Sequence, residues 1–138
     1  MKKVMVFGTY DIFHKGHQKF FQQAKRLGNY LIVVVARDLH VKAAKSNFPI
    51  NKEVQRSKIV RRTKLADKVI LGSKTHNFYR TIRTYQPAII ALGYDQKPSL
   101  RELRKDLKRH RLAKIELVRL RSYQPEIYKS SKLKAEPK

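Results

Sequence analysis

The chain has 138 residues, a length that fits one domain with one hydrophobic core. It contains no cysteine, which excludes disulfide bonds, thiolate metal ligands and a thiol nucleophile. No apolar run approaches the ~20 residues that cross a bilayer, and the N-terminus lacks the apolar core of a signal peptide. We therefore predict a single domain over residues 1–133 with a basic tail over 134–138, located in the cytoplasm and without a membrane partner.

The charge balance is strongly basic. Lys and Arg number 33 against 10 Asp and Glu, which gives a formal net charge of +23. A field of this sign attracts polyanions, so nucleic acids and nucleotides are candidate partners. The basic residues are spread over residues 42–68, 97–114 and 119–138, and no zinc-finger spacing or RNA-binding aromatic motif occurs. A basic surface with a phosphate-binding cleft is favoured over a dedicated nucleic-acid-binding protein.

Apolar strands alternate with amphipathic helices along most of the chain. The strands are mostly apolar on consecutive residues, as is typical of strands buried on both faces. The alternation predicts an α/β Rossmann-like fold, a doubly wound five-stranded parallel sheet with helices on both faces. Gly28, directly after the first helix, is predicted to be its C-cap. The predicted strands span residues 3–7, 30–36, 68–71, 88–92 and 114–120, and the predicted helices span 17–27, 52–65, 76–85 and 100–111.

The stretch from Gly8 to His17 is the most informative part of the chain. It joins the first predicted strand to the N-terminus of the first helix, a junction whose unpaired N–H groups and helix dipole favour an anion. His14 and His17 are three residues apart, close enough to face one ligand. Gly16 removes a side chain that would obstruct a triphosphate. The pattern predicts a nucleotide site.

Two other interpretations of the histidine pair stay open at this stage. His14 and His17 could share a metal ion, but a catalytic zinc site takes three protein ligands, and the third would be Asp11 or a distant histidine. They could also be ordinary surface histidines, which leaves the composition of the loop unexplained. The P-loop and dinucleotide-binding patterns are absent, so neither of those phosphate sites applies.

Polar residues also follow other predicted strands. Arg37 and Asp38 follow the second strand, Asp95 follows the fourth, and residues 121–131 follow the fifth. The carboxyl ends of parallel strands share one edge of the sheet, and ligands gather there near the point where the strand order reverses. We therefore expect these segments and the first loop to form one cleft.

Residues 8–11 (GTYD) followed by His14-x-Gly16-His17 resemble the signature of the cytidylyltransferase-like nucleotidyltransferases. Within this family, the chain is most similar to archaeal-type FAD synthases and next to glycerol-3-phosphate cytidylyltransferases. The choice rests on Val35 to Asp38 and on Gly93 to Gln96. The resemblance continues over residues 33–38, 41–42, 49–50, 53–56, 67–72 and 89–96.

The resemblance implies an enzyme that transfers a nucleoside monophosphate from a nucleoside triphosphate to a phosphate-bearing acceptor and releases pyrophosphate. It favours ATP over CTP and FMN as the acceptor, with Mg²⁺ accompanying the nucleotide. The alternatives are a glycerol-3-phosphate or related polyol phosphate cytidylyltransferase and, from another class, a basic nucleic-acid-binding protein on the same fold. A homodimer is the oligomer expected by analogy with the fold.

The resemblance also implies roles for individual residues. His14 and His17 would bind the nucleotide phosphates and stabilise the α-phosphorus, and Lys42 would act with them in catalysis. Two serines, Ser130 and Ser131, correspond to the family's C-terminal hydroxyl-rich phosphate motif. The full nucleotide-binding set would be Thr9, Tyr10, His14, Lys15, Gly16, His17, Asp95, Tyr123, Ser130 and Ser131, and the phosphate or second-substrate set would be Asp11, Lys45 and Arg56.

The sequence departs from the family pattern at three places. Tyr10 replaces a phenylalanine and keeps the ring. Lys129 stands where the family often has a hydroxyl, and the Arg-Thr-Glu-Gly run that precedes that motif is missing, which disfavours activity on glycerol phosphate. Phe48 stands where a polar residue is common, so this part of the second-substrate pocket is expected to differ.

Overall fold

The computed structural model of the chain describes residues 2–45, 47–75, 77–93 and 99–121. Ten elements alternate as the sequence predicts, apart from one additional helix between the second and third strands. In chain order they are β1 Lys3–Gly8, α1 Lys15–Arg26, β2 Tyr30–Val35, α2 Asp38–Lys45, α3 Glu53–Arg62, β3 Lys68–Leu71, α4 Phe78–Tyr85, β4 Ile89–Leu92, α5 Leu100–Arg109 and β5 Glu116–Arg119.

The five strands form one parallel sheet in the order β3-β2-β1-β4-β5. The predicted Rossmann-like α/β fold is confirmed. The strand order reverses between β1 and β4, so the carboxyl end of β1 lies where doubly wound sheets bind their ligands. Gly8 at the end of β1 pairs with Val35 at the end of β2, which pairs with Leu71 at the end of β3. The loops that follow these three strands therefore start at the same level.

Two apolar clusters sandwich the sheet. Consecutive residues of β2 lie on opposite faces of the sheet, so that Val33 packs into one cluster and Val34 into the other. Because both faces are buried, the strand is apolar at every position. One cluster contains Phe21 of α1 and Val60 of α3, so these helices cover one face. The other contains residues of α4 and α5, which cover the opposite face.

The differences from the predicted elements are local. Helix α2 was not predicted, because Val41 is the one buried residue among the α2 side chains that the structure describes, those of residues 38–43. Helix α3 ends at Arg62 instead of residue 65, since Lys64 adopts a left-handed φ of 59°. Helix α5 similarly ends before Arg111, whose φ is 61°. Strand β5 begins at Glu116, two residues later than predicted.

Gly28 does not have the predicted role. Leu27 is the C-cap of α1 with right-handed helical angles, and Gly28 does not have a positive φ. Gly28 lies instead where the chain passes very close to the start of β1. A Cβ atom on residue 28 would lie 2.4 Å from the Lys2 carbonyl oxygen and 2.9 Å from Val4 Cγ2. The glycine is required by this close approach between two backbone segments.

No helix among the described residues combines the length and the apolar composition that a membrane-spanning helix requires.

A pair of glycine variants tests the close approach. Gly28→Ala places its methyl group against backbone, so we expect the free energy of unfolding to fall by about 1–3 kcal/mol. Gly72→Ala is the matched control, because its Cβ would lie 3.7 Å from the nearest atom, an ordinary contact. We expect Gly72→Ala to change stability by less than about 1 kcal/mol. Urea unfolding measures both variants, and equal losses would contradict the interpretation.

Candidate active site

Helix α1 begins with a reciprocal cap made by the two histidines. His14 is the N-cap residue, with an extended φ of −142°, and its Nδ1 accepts a hydrogen bond of 3.0 Å from the Gly16 N–H. The His14 N–H donates in turn to Nδ1 of His17 over 3.3 Å. This is a capping box in which histidines replace the usual hydroxyl and carboxylate. The spacing of His14 and His17 therefore fixes both the start of the helix and the position of both rings.

The cap also determines which ring nitrogen carries a proton. Nδ1 of His14 and Nδ1 of His17 each accept from a backbone N–H, so each neutral ring holds its proton on Nε2. The two rings are stacked, with centroids 3.9 Å apart and planes inclined by 21°. The sequence prediction that these imidazoles face one site is consistent with this stacked arrangement.

Burial lowers the pKa of His14 below its ordinary value of 6.5. Desolvation disfavours the charged imidazolium form of the ring. His14 is therefore neutral at neutral pH, and it acts there as a hydrogen-bond donor and not as a fixed positive charge.

The first turn of α1 contains no acidic side chain. The first turns of α2, α3 and α5 contain Asp38, Glu53 and Glu102, which compensate the positive end of each helix dipole, whereas α4, like α1, has no acidic residue there. Lys15, exposed at the first helical position of α1, adds positive charge instead. The helix that carries the two histidines thus presents an uncompensated positive terminus, which suits an anionic ligand.

Tyr10 packs underneath His17. The Tyr10 side chain is only 4 % exposed, and its ring meets the His17 ring edge-on with centroids 5.4 Å apart. It was predicted to line the nucleotide site, but the structure places it in the core against Phe21. A Cβ atom at Gly8 would lie 2.5 Å from Tyr10 Cζ, so the glycine makes room for this ring. Tyr10 has a left-handed φ of 54°, which shows that the surroundings impose an unfavourable conformation.

Asp11 is buried and faces the following loop. Its carboxylate accepts hydrogen bonds of 2.7 Å from the backbone N–H groups of Ile50 and Asn51, and its backbone carbonyl accepts from the Asn51 side chain. Asp11 was expected to contact the second substrate. In the structure both carboxylate oxygens accept hydrogen bonds from backbone N–H groups, so Asp11 fixes residues 50 and 51 against the loop after β1.

Arg56 is completely buried. Its guanidinium donates to the Thr9 carbonyl at 2.7 Å, to the Asn51 carbonyl through Nε at 3.0 Å, and to the Asp38 carboxylate at 2.6 Å. The resemblance implied that Arg56 would reach a phosphate. In the structure the guanidinium instead holds together the loop after β1, the loop before α3 and the start of α2.

Helices α2 and α3 begin side by side and cap each other. The Asp38 N–H donates to Glu53 Oε1 at 2.9 Å, and the Glu53 N–H donates to Asp38 Oδ2 at 3.3 Å. Arg37 completes this network with an ion pair of 3.0 Å to Glu53 and a bond from Nε to the Gly72 carbonyl after β3. The sequence identified Arg37 and Asp38 as polar residues at a strand end and through the resemblance, and Glu53 through the resemblance alone. No local pattern signals that their helices share caps.

The remaining predicted site residues lie at the edge of this region or outside the described residues. Thr9 is partly buried in the loop after β1, beside the Arg56 guanidinium. Lys42 is exposed on α2, with its ammonium 4.5 Å from the centroid of the Phe48 ring. The predictions for the Lys45 side chain and for Asp95, Tyr123, Ser130 and Ser131 fall outside what the structure describes.

The chain leaves β5 next to α1. The Gln23 side chain donates to the Arg121 carbonyl and accepts from the Arg121 N–H, both at 3.1 Å. This amide pair fixes the last described residue to the helix that carries the histidines. A separate cleft of about 470 Å³ lies between the end of β3 and α4. Arg37, which was expected in the cleft at the strand ends, lines it, whereas none of the described residues predicted for catalysis, nucleotide binding or phosphate binding does.

The comparisons with known proteins agree with this geometry. The family model described as cytidylyltransferase-like matches residues 5–136. The chain belongs to the cytidylyltransferase-like family. The prediction that it is a nucleotidyltransferase of this family, made from the GTYD and His14-x-Gly16-His17 residues, is confirmed.

Relatives in this family cover most of the chain. A protein named FAD synthase from Ferroglobus placidus is 44% identical over 122 residues, which are 88% of this chain and 78% of that protein. A protein of the same name from Thermococcus onnurineus is 35% identical over 132 residues, covering 96% of this chain and 85% of that protein. The crystal structure of a lipopolysaccharide core biosynthesis protein from Thermoplasma volcanium superimposes with a TM-score of 0.84 at 35% identity, covering 90% of this chain and 99% of that one.

Removing the buried guanidinium tests its structural role. Arg56→Ala leaves two carbonyls and a partly buried Asp38 carboxylate without their donor, so we expect the free energy of unfolding to fall by roughly 3 kcal/mol. Arg62→Ala, an exposed arginine on the same helix, is the control and should change stability by less than about 0.5 kcal/mol. Chemical denaturation distinguishes the two, and a loss below about 1 kcal/mol for Arg56→Ala would contradict the assigned role.

The lowered pKa of His14 predicts a pH dependence of stability. The unfolded chain takes up a proton at His14 near pH 6.5, whereas the folded chain does so only at lower pH. Stability therefore decreases as the pH falls from about 6.5 towards the lowered pKa and is unaffected by this group at higher pH. His14→Asn keeps an N-cap acceptor and does not titrate. Between about pH 7.5 and 5.5, we expect the wild type to lose more stability than His14→Asn, and equal losses would refute the prediction.

Proposed function

We propose that this chain is an FMN adenylyltransferase, an enzyme that makes FAD from ATP and FMN. The name FAD synthase carried by relatives at 34% to 44% identity supports this choice of substrates. The observation that carries the proposal is the pair of stacked imidazoles at a helix N-terminus that has no acidic side chain in its first turn. This arrangement offers donors to a polyphosphate without a carboxylate to repel it.

The proposed reaction needs positioning and charge neutralisation more than acid–base chemistry. A phosphate oxygen of FMN attacks the α-phosphorus of ATP, the new P–O bond forms, the bond to the β-phosphate bridge breaks, and pyrophosphate leaves. The attacking phosphate is already ionised at neutral pH, so it needs no strong general base, and no covalent enzyme intermediate is formed. His14 and His17 would donate through Nε2 to oxygens on which negative charge increases in the transition state.

Basic residues would complete the phosphate site. Lys42 lies on α2, whose start is fixed against the histidine loop through Asp38 and Arg56. We assign Lys42 to the incoming phosphate and propose Lys45 for the same region. We propose Ser130 and Ser131 for the nucleotide phosphates on the resemblance alone. Asp95 and Tyr123 remain predictions for the nucleoside.

Mg²⁺ would accompany the triphosphate. No group of three or more His, Asp or Glu side chains among the described residues could hold a metal ion, and both oxygens of Asp11 already accept backbone hydrogen bonds. These residues therefore do not form a dedicated cage. They fit an ion held mainly by phosphate oxygens and water, as Mg²⁺ usually is with nucleotides. A cytoplasmic location and a homodimer remain predictions.

Pyrophosphate release tests the substrates directly. ATP and CTP are each combined with FMN and with glycerol 3-phosphate in the presence of Mg²⁺. We expect turnover with ATP and FMN, and FAD as the product by chromatography. Turnover only with CTP and glycerol 3-phosphate would replace the proposal with the cytidylyltransferase alternative. Absence of turnover with all four pairs, together with salt-dependent binding to RNA or DNA, would replace it with the nucleic-acid-binding alternative.

Removing one donor tests the histidine pair. His17→Ala should lower kcat by a factor of about 10²–10³, the range seen when one preorganised donor to a developing charge is lost. His110→Ala is the matched control, because His110 also stacks on an aromatic ring, that of Tyr79, but ends α5 on the other face of the sheet. Circular dichroism confirms that each variant is folded. Wild-type kcat in His17→Ala would rule out the proposed role.

A further inference from the structure

The exposed large apolar side chains among the described residues are confined to one segment. They are Leu39, Phe48, Ile50 and Val54, which are 71%, 55%, 67% and 54% exposed, and we call them the apolar patch. In a chain of which 31% is charged, such a concentration of exposed apolar area indicates a binding surface.

The apolar patch borders the candidate active site. Leu39 follows Asp38 and Val54 follows Glu53, and the reciprocal hydrogen bonds between Asp38 and Glu53 hold these positions together. The Ile50 N–H donates to Asp11, which lies in the loop that leads to the histidine pair. The patch is thus tied through backbone contacts to the loop that carries the predicted catalytic residues.

A positive charge stands within the patch. Lys42 lies one turn after Leu39 on α2, and its ammonium is 4.5 Å from the centroid of the Phe48 ring. The combination of apolar side chains and a cation suits a ligand that has a flat aromatic part and an anionic group. A polyol phosphate would use the cation but not the apolar area.

We propose that the apolar patch binds the planar aromatic ring system of the acceptor, with Phe48 and Ile50 as specificity-determining residues. This inference rests on the proposed function and extends it from the phosphate of the acceptor to its ring. The acceptor's ring packs on the patch and its phosphate lies near Lys42. Selection of an aromatic acceptor over a polyol phosphate then follows from apolar contact area.

Flavin binding tests the inference separately from turnover. FMN and riboflavin, which has the same ring without the phosphate, are titrated by flavin fluorescence with and without an unreactive ATP analogue. We expect Phe48→Ser and Ile50→Ser to weaken both flavins, by about tenfold for Phe48→Ser, and to leave the ATP Kd unchanged. Phe48→Tyr keeps the ring and should retain affinity. Gln55→Ser, an exposed polar position on α3, is the control.

Three outcomes would overturn the inference. One is unchanged flavin affinity in Phe48→Ser. Another is a loss of affinity for FMN but not for riboflavin, which would assign the effect to the phosphate. The third is conversion of a dimer into a monomer by Phe48→Ser at unchanged flavin affinity, which would make the patch a contact with a second copy of the chain. Failure of the wild type to release pyrophosphate with FMN overturns the proposed function, whereas the titrations decide on the patch.

Discussion

The carboxyl edge of the sheet depends on one buried guanidinium. Arg56 joins Thr9, Asn51 and Asp38, which belong to three different segments of the chain. A buried charge without partners costs several kcal/mol, so each of these segments is held where it satisfies the guanidinium. The hydrogen bond from Arg56 to the Thr9 carbonyl thereby fixes the loop after β1, which leads to His14 and His17.

The polar residues of this region fall into two groups with different tasks. Arg56 and Asp11 are buried and bind backbone groups, so they shape the site without contacting a ligand in this arrangement. His14 and His17 use one ring nitrogen each for the helix cap, which leaves the proton of each neutral ring on Nε2. In the proposed function, each side chain therefore combines a helix cap with a donor to the nucleotide, which couples the geometry of the site to the start of α1.

Much of the fold could be predicted because its signals are local. The strands are apolar on consecutive residues, and the histidine pair has the spacing of a helix cap. Helix α2 could not be predicted, because residues 38–43, the part of α2 whose side chains are described, contain one buried residue, Val41, and a single position gives no periodicity. The tasks of Asp11 and Arg56 could not be predicted either, because they depend on contacts between distant parts of the sequence. Asp11 and Ile50 are 39 residues apart, and Arg56 and Thr9 are 47 residues apart. A polar residue in the sequence does not reveal whether it will face a substrate or the protein interior.

The missing carboxylate at the start of α1 has a thermodynamic consequence. Helices α2, α3 and α5 gain stability from an acidic side chain in their first turn, whereas α1 and α4 do not. The resting protein therefore forgoes a stabilising contact that a bound polyphosphate can supply. A ligand that binds only the folded chain adds about 2.7 kcal/mol at a concentration of 100 Kd. The melting temperature of this protein should accordingly rise with the concentration of nucleotide, because the interaction that no side chain makes at this helix terminus is available to the ligand.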